Sequence, residues 1–289
     1  MSTKVRKAVL PVAGLGTRVL PGAKTTPKNM LNVFDRPILS YIVEEARAAG
    51  IEHFVFVVGR GQGAIEDYFD ASPEIEGALE AKGKTDILAE VRRDLPQPGQ
   101  MSFVRQMAPL GLGHAVWCAR DIIGDEPFAV ILPDMLMAAD TPTLAQAVAA
   151  YDQVGGNIIV VEPAPEGEAH KYGIVDLESQ KGRINRMRGM VEKPAPGTEP
   201  SSLFISGRYI LQPDIFPLLE KQGNGAGGEI QLTDAMAELM KVQDFHALEY
   251  EGVTYDCGDK IGLLRANVAF ALRHPTFGGA AREAITGLL

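Results

Sequence analysis

The sequence predicts an α/β fold, a doubly wound open sheet with helices packed on its faces, and two observations carry that prediction. Short apolar runs at Ala8 to Val12, Phe54 to Val58, Phe128 to Leu132 and Ile158 to Val161 read as buried strands. Helical patterns lie between them, the rhythm of β-helix-β units with right-handed crossovers. At 289 residues and roughly 150 per domain, the chain allows about two domains at most. The later strands are again apolar enough to extend the first sheet, so one continuous domain over residues 1–289 is expected. Its halves fall at 1–160 and 161–258, with a C-terminal helical segment at 259–289.

Each element has a local reason. Ala8 to Val12 is wholly apolar and runs into a glycine turn. Ile38 to Ala49 sets Ile38, Ile42, Val43 and Ala46 on one face and stops at Gly50, a helix that packs on a sheet. Gly113 to Ala119 and Leu144 to Tyr151 supply further crossover helices. Asp70 to Pro98 reads as a charged, largely helical insertion before Phe103. After Val161 the loops EPAPEGEAHKYG, EKPAPGTEPSS and QGNGAGGE interrupt strand-like pieces at Ile174 to Leu177, Arg183 to Met187 and Leu203 to Leu211, so a hairpin elaboration is expected there. Helical patterns return at Ile230 to Lys241 and Ile261 to Leu272, and no fixed-period repeat suggests a solenoid.

Composition removes several classes of function. Acidic side chains number 37 against 28 basic, a formal net charge of −9, which repels a nucleic-acid backbone. No nucleic-acid partner is expected, although a few cations gathered in one cleft suffice for a small anion. Cys118 and Cys257 are too few and too far apart for a disulfide framework or a four-cysteine zinc site, pointing to a cytoplasmic setting. No apolar stretch approaches the roughly 20 residues that span a bilayer, and the N-terminus turns to glycine before a signal-peptide core forms. No membrane partner is expected.

The first strand runs into AGLGTRVLP (residues 13–21), followed by Lys24 and Lys28. A tight glycine turn in this position cradles phosphate: Gly14 and Gly16 let backbone N–H groups approach, while Arg18 and Lys28 neutralise charge. A dinucleotide fingerprint starting at Gly14 fails at Val19, and no G-x-x-x-x-G-K-[ST] loop occurs. Gly59, Gly61 and Ala64 do satisfy G-x-G-x-x-[GA] after a strand, but the acidic residue required about 20 positions on is missing, since Ala78 to Val91 is helix-like. Asp134 ends the apolar strand FAVILPD, where a carboxylate projects from the carboxyl edge of a sheet and suits a metal; the alternative is a helix N-cap. Asp259 suits a cap for the helix after it. Cys257 reads as a small packed residue, and His114 as a structural residue at a helix start.

Six ordered motifs, AGLGTRVLP with PK (27–28), GLGHA (111–115), LPD (132–134), VEKP (191–194), EIQLTD (229–234) and DCGD (256–259), closely resemble the bacterial UTP:glucose-1-phosphate uridylyltransferases, which are sugar nucleotidyltransferases. The match runs from Lys7 to about His274. It implies a single Rossmann-like domain with a central mixed, mostly parallel sheet flanked by helices, the hairpins forming its sugar side. It also implies Mg²⁺, UTP and glucose 1-phosphate as substrates, UDP-glucose and pyrophosphate as products, and a homo-oligomer.

By this resemblance Ala13, Gly14, Leu15, Gly16, Thr17, Arg18, Lys28, Gln106, Gly111 and Gly113 bind the nucleotide. The Gln106 amide is suited to the N3–H and O4 edge of uracil, because it both donates and accepts. Arg18, Lys28 and Lys193 are catalytic, and Asp134 and Asp256 hold the metal. Gly173, Glu192 and Lys193 bind the sugar phosphate: a carboxylate suits paired hydroxyls and an ammonium suits phosphate. Glu229 and Asp234 support a helix beside the sugar. Asn29 and Asn32 depart from the family's P-K-E-M-L-P, and Met107 and Leu110 from its glycine and lysine. Two alternatives remain at this point, a sister enzyme using dTTP and a non-catalytic sugar-nucleotide sensor; the insertion at 70–98 and GLGHA favour the uridylyl branch.

Overall fold

Among the described residues thirteen strands arise in chain order: β1 (Lys7–Pro11), β2 (Asn32–Val33), β3 (Arg36–Pro37), β4 (His53–Val58), β5 (Met101–Arg105), β6 (Phe128–Ile131), β7 (Met135–Ala138), β8 (Asn157–Pro163), β9 (Gly173–Leu177), β10 (Ile184–Glu192), β11 (Leu203–Leu211), β12 (Phe245–Glu249) and β13 (Val253–Asp256). The computed structural model describes residues 3–223 and 228–288. Positions 224–227 of the QGNGAGGE loop lie outside these. Nine strands make one sheet in the order β5-β4-β1-β6-β11-β8-β12-β10-β9, and β7 with β13 and β2 with β3 make two small ribbons.

The sheet is mixed. β5, β4, β1 and β6 are mutually parallel neighbours, and β12 is parallel to β8. β11 runs against β6, β8 and β9, and β10 runs against β12 and β9. The hairpin strands after Val161 therefore enter the same sheet as β1.

Side-chain alternation explains why both faces are covered. Ala8 and Leu10 of β1, with Phe54, Phe56 and Val58 of β4, enter one buried cluster, while Val9, Val55 and Val57 enter the other. The helix Ile38–Ala48 closes the first cluster with Ile38, Leu39, Ile42 and Val43, and the helices Leu112–Cys118 and Leu232–Leu239 close the second. Each fully buried Leu, Ile or Phe stabilises the fold by roughly 1.5–3 kcal/mol, and a one-residue slip would exchange the two faces, so the register is fixed.

The insertion at 70–98 is helical, as Pro73–Ala81 and Thr85–Arg92. Asp259 caps the helix Lys260–Arg273, its Oδ1 accepting from the N–H groups of Ile261 (2.8 Å) and Gly262 (2.9 Å). The strand expected at Arg183 to Met187 continues to Glu192. The ribbon of β7 and β13 is absent from the sequence reading, because MLMA and VTYD are short and only half-buried. Among the described residues no helix is long and apolar enough to cross a membrane.

Candidate active site

Because β5, β4, β1 and β6 are adjacent and parallel, the loops that follow them open on one edge of the sheet. The first is the glycine turn. Gly16 sits at φ +64°, and a Cβ there would lie 2.9 Å from the Cβ of Lys28. A side chain is excluded both by the left-handed backbone and by Lys28 folding back against the loop. Thr17–Val19 forms a single 3-10 turn that aims Arg18 outward, and Leu15 is exposed.

A cleft of about 320 Å³ separates Ala13, Gly14, Leu15 and Lys28 from Gly59 to Gln62 and Gln106 to Pro109. The second glycine motif is therefore the opposite wall of this cleft. Gln62 ties the walls together: its Oε1 accepts from Gly59 N (2.6 Å) and its Nε2 donates to Val12 O (2.8 Å).

Gln106 is buried, and its orientation follows from its neighbours. Its Nε2 donates to Gly111 O (3.1 Å), which can only accept, and meets His114 Nδ1 at 3.1 Å. Burial pushes the His114 imidazole below its ordinary pKa, keeping it neutral and able to accept. Gln106 Oε1, with no hydrogen bond to another described residue, is left for the cleft.

Gly111 and Gly113 stand at the start of the helix Leu112–Cys118, against Glu229 and Ile230. The N–H of Gly113 already donates to Ile230 O (2.9 Å), and a Cβ on it would meet that oxygen at 2.8 Å. At Gly111, with φ +103°, a Cβ would meet the Cβ of Glu229 and the carbonyl oxygen of Ile230 at 2.8 Å each. Their small size serves the packing of this loop onto Glu229 and Ile230, and Gly111 O also orients Gln106.

Asp134 follows β6 and leads directly into β7, so it caps no helix. β7 pairs antiparallel with β13 in a register that sets Met135 opposite Asp256, and Cys257 N donates to Asp134 O (2.7 Å). The ribbon thus brings the two carboxylates together. Lys28 Nζ donates to Asp134 Oδ2 (2.5 Å); Arg18 Nη1 lies 3.4 Å from Asp256 Oδ2 and Arg18 Nη2 3.9 Å from Asp134 Oδ2.

The two carboxyls diverge. Burial opposes ionisation of Asp134, but the charge and hydrogen bond of Lys28, then the backbone and Arg18, outweigh it and hold its pKa below the usual range. Burial pushes Asp256 up, and the charges of Asp134 and Asp259 add to this against Gly258 N and Arg18. Among the described residues no three His, Cys, Asp or Glu side chains gather as a metal cage. Two carboxylates without a third ligand match a hard cation that takes its remaining oxygens from substrate and water.

The third group lies at the end of β10. Glu192 is largely buried, its Oε2 accepting from the Thr233 hydroxyl (2.7 Å), and a Cβ on Gly173 would meet that Oε2 at 3.0 Å. Lys193, at φ +47°, is anchored by donating its N–H to Tyr172 O (3.0 Å), and its Nζ stands 3.6 Å from Glu192 Oε1. Tyr209 is buried, and burial, then the negative charges of Glu192 and Asp134, push its phenol up. Thr233 escaped sequence reading, which put the weight of EIQLTD on Glu229 and Asp234. Gln62 escaped it too, because its motif reads as a dinucleotide site. Cys257 is buried and its thiol is pushed up to about 12, mainly by burial, so it is no nucleophile. A larger cavity of about 620 Å³, between Arg36, Glu44, Phe270 and Arg273, shares none of these groups.

A glycine cradle, paired cations and paired carboxylates on the carboxyl edge of an α/β sheet define a protein that handles nucleoside phosphates. The chain belongs to the nucleotidyl transferase family, whose profile matches residues 7–271. It is 50% identical over 270 residues to a UTP–glucose-1-phosphate uridylyltransferase of Bacillus subtilis, covering 93% of this chain and 92% of that protein. The structure of a UTP-bound UDP-glucose pyrophosphorylase from Acinetobacter baumannii superposes with a TM-score of 0.92 at 42% identity, over 99% of this chain and all of that one. A UDP-glucose pyrophosphorylase complexed with UDP-glucose matches with a TM-score of 0.83 at 37% identity, over 93% of this chain and all of that one.

Proposed function

We propose that this chain transfers the uridylyl group of UTP to glucose 1-phosphate, giving UDP-glucose and pyrophosphate. The observation that carries the reading is the quartet of Arg18, Lys28, Asp134 and Asp256, whose Lys28 also lines the glycine cleft. Uracil enters the cleft beside Ala13, Gly14 and Leu15, and Gln106 Oε1 accepts its N3–H. Backbone N–H groups from Gly14 to Thr17 face the phosphates.

Glu192 takes a pair of sugar hydroxyls beside Gly173, and Lys193 holds the sugar phosphate. An oxygen of that phosphate attacks the α-phosphorus; the new P–O bond forms as the bond to the β-phosphate breaks and pyrophosphate leaves. A phosphate monoester is already ionised at neutral pH, so no general base is needed. Catalysis is in-line positioning and charge neutralisation. Arg18 and Lys28 move from the carboxylates to the triphosphate and stabilise the charge on the departing pyrophosphate. Asp134 and Asp256 would hold Mg²⁺, which supplies positive charge at the reacting phosphates.

Two unpaired cysteines suit a cytoplasmic setting. Exposed Ile261, Leu264 and Phe277 on the C-terminal helical segment support a homo-oligomer.

The test is Mg²⁺-dependent pyrophosphate release with glucose 1-phosphate and each of UTP, dTTP, ATP, CTP and GTP, with Asp134→Ala as the blank. UTP is the preferred nucleotide and the variant is silent. Preference for dTTP would overturn the assignment of the base, and no release with any nucleotide would move the reading to a sugar-nucleotide sensor.

A further inference from the structure

Arg208, on β11, is wholly buried, and no motif of the sequence reading includes it. Its Nε and Nη2 donate to Glu45 Oε1 (3.0 Å) and Oε2 (2.7 Å), a two-pronged pair with the helix Ile38–Ala48. The rest of the fork turns the other way: Nη1 donates to Leu132 O (3.0 Å) and Nη2 to Met135 O (2.9 Å). Those carbonyls flank Pro133 and Asp134. A backbone bond from Leu132 N to Gly207 O (2.8 Å) adds a third tie between β11 and this turn.

Burying a guanidinium with a carboxylate is poor value as a source of stability, since apolar residues of similar volume commonly do as well or better. A point-charge ammonium could not reach Glu45 and both carbonyls together; a planar fork can. The geometry fits a requirement on the turn itself.

We infer that Arg208, braced by Glu45, is a positioning residue: it fixes the 132–135 turn and so sets where the Asp134 carboxylate stands relative to Asp256. This rests on the assignment of those two carboxylates as the divalent-cation site. Arg208 touches no substrate, and its effect is read through Asp134.

The test uses Mn²⁺ as the probe, its binding to the full chain with UTP followed by electron paramagnetic resonance, alongside UTP binding without metal and thermal unfolding. Arg208→Lys weakens Mn²⁺ binding about tenfold or more, the range seen when groups behind a metal ligand are lost. It lowers kcat with KM for both substrates nearly unchanged, and metal-free UTP binding holds. The double variant Glu45→Leu with Arg208→Met removes both buried charges and keeps the volume, so it folds and shows the same loss. Wild-type Mn²⁺ affinity and kcat in that folded double variant would overturn the inference. Undiminished Mn²⁺ binding in Asp134→Asn would instead overturn the metal assignment, and this inference with it.

Discussion

The ammonium of Lys28 donates to the carboxylate of Asp134 at 2.5 Å, and both side chains are largely withdrawn from solvent. In the free chain, the cation suited to substrate phosphate is therefore bonded to the carboxylate suited to a metal. On the proposed assignment, substrate and metal are taken up as a linked exchange, in which each releases the partner of the other.

That linkage sets two effects of opposite sign for Lys28→Met. Turnover falls by about 10²–10³, the range for losing one preorganised electrostatic contact. Mn²⁺ affinity without nucleotide rises by about tenfold, on the order of 1.4 kcal/mol, because a competitor for Asp134 is gone. Steady-state kinetics and titration of the nucleotide-free protein measure the two. A variant that loses both activity and metal affinity would refute the exchange.

The proposed base selection rests on Gln106, which Gly111 O and His114 orient. Gln106→Leu raises KM for UTP by about tenfold, the worth of one hydrogen bond, and narrows the preference for UTP over CTP. His114 adds a pH dependence. Burial depresses its folded pKa, so its contribution to stability is complete above the unfolded value of about 6.5 and is lost as pH falls through the folded one. Protonation also removes the lone pair facing Gln106. KM for UTP is flat above pH 7 and climbs severalfold at lower pH, and His114→Asn flattens the climb. An unchanged profile in that variant would assign the pH effect elsewhere.

Thr233 donates to Glu192 at 2.7 Å, a hydrogen bond to a charged group worth roughly 1.5–3 kcal/mol. Thr233→Val lowers kcat/KM for glucose 1-phosphate by about 10- to 100-fold while KM for UTP holds, and Thr233→Ser restores most of it. An equal loss toward both substrates would place Thr233 outside the sugar subsite.

Gly16→Ala combines a left-handed backbone with a Cβ 2.9 Å from Lys28. It destabilises the chain by about 1–2 kcal/mol and lowers turnover as well, because Lys28 must shift. Differential scanning calorimetry and pyrophosphate release check both. Unchanged melting would show that the loop adapts.

β1, β4, β6 and β8 were legible because their buried residues form unbroken apolar runs, whereas β5, MSFVR, is partly exposed at the edge of the sheet and forms none. β7 and β13 were not, since a half-buried ribbon of four residues a strand carries no period. Thr233 was hidden for another reason: a hydroxyl on a helix becomes informative only when a carboxylate from a distant strand arrives beside it. Arg208 was hidden because β11 reads as core, and a single charge inside an apolar run shows neither its partner nor its direction.

The ribbon also bears on the order in which the site is born. Arg18 and Asp256 stand 238 positions apart, and Asp256 is delivered by β13 only after all nine strands of the main sheet have been made. A chain emerging from the ribosome can form β1, β4, β5 and β6, with the cleft between their loops, while Asp134 still lacks its counterpart. Such a nascent chain has the cleft walls and no carboxylate pair, so the reaction stays switched off until nearly the whole protein is in hand.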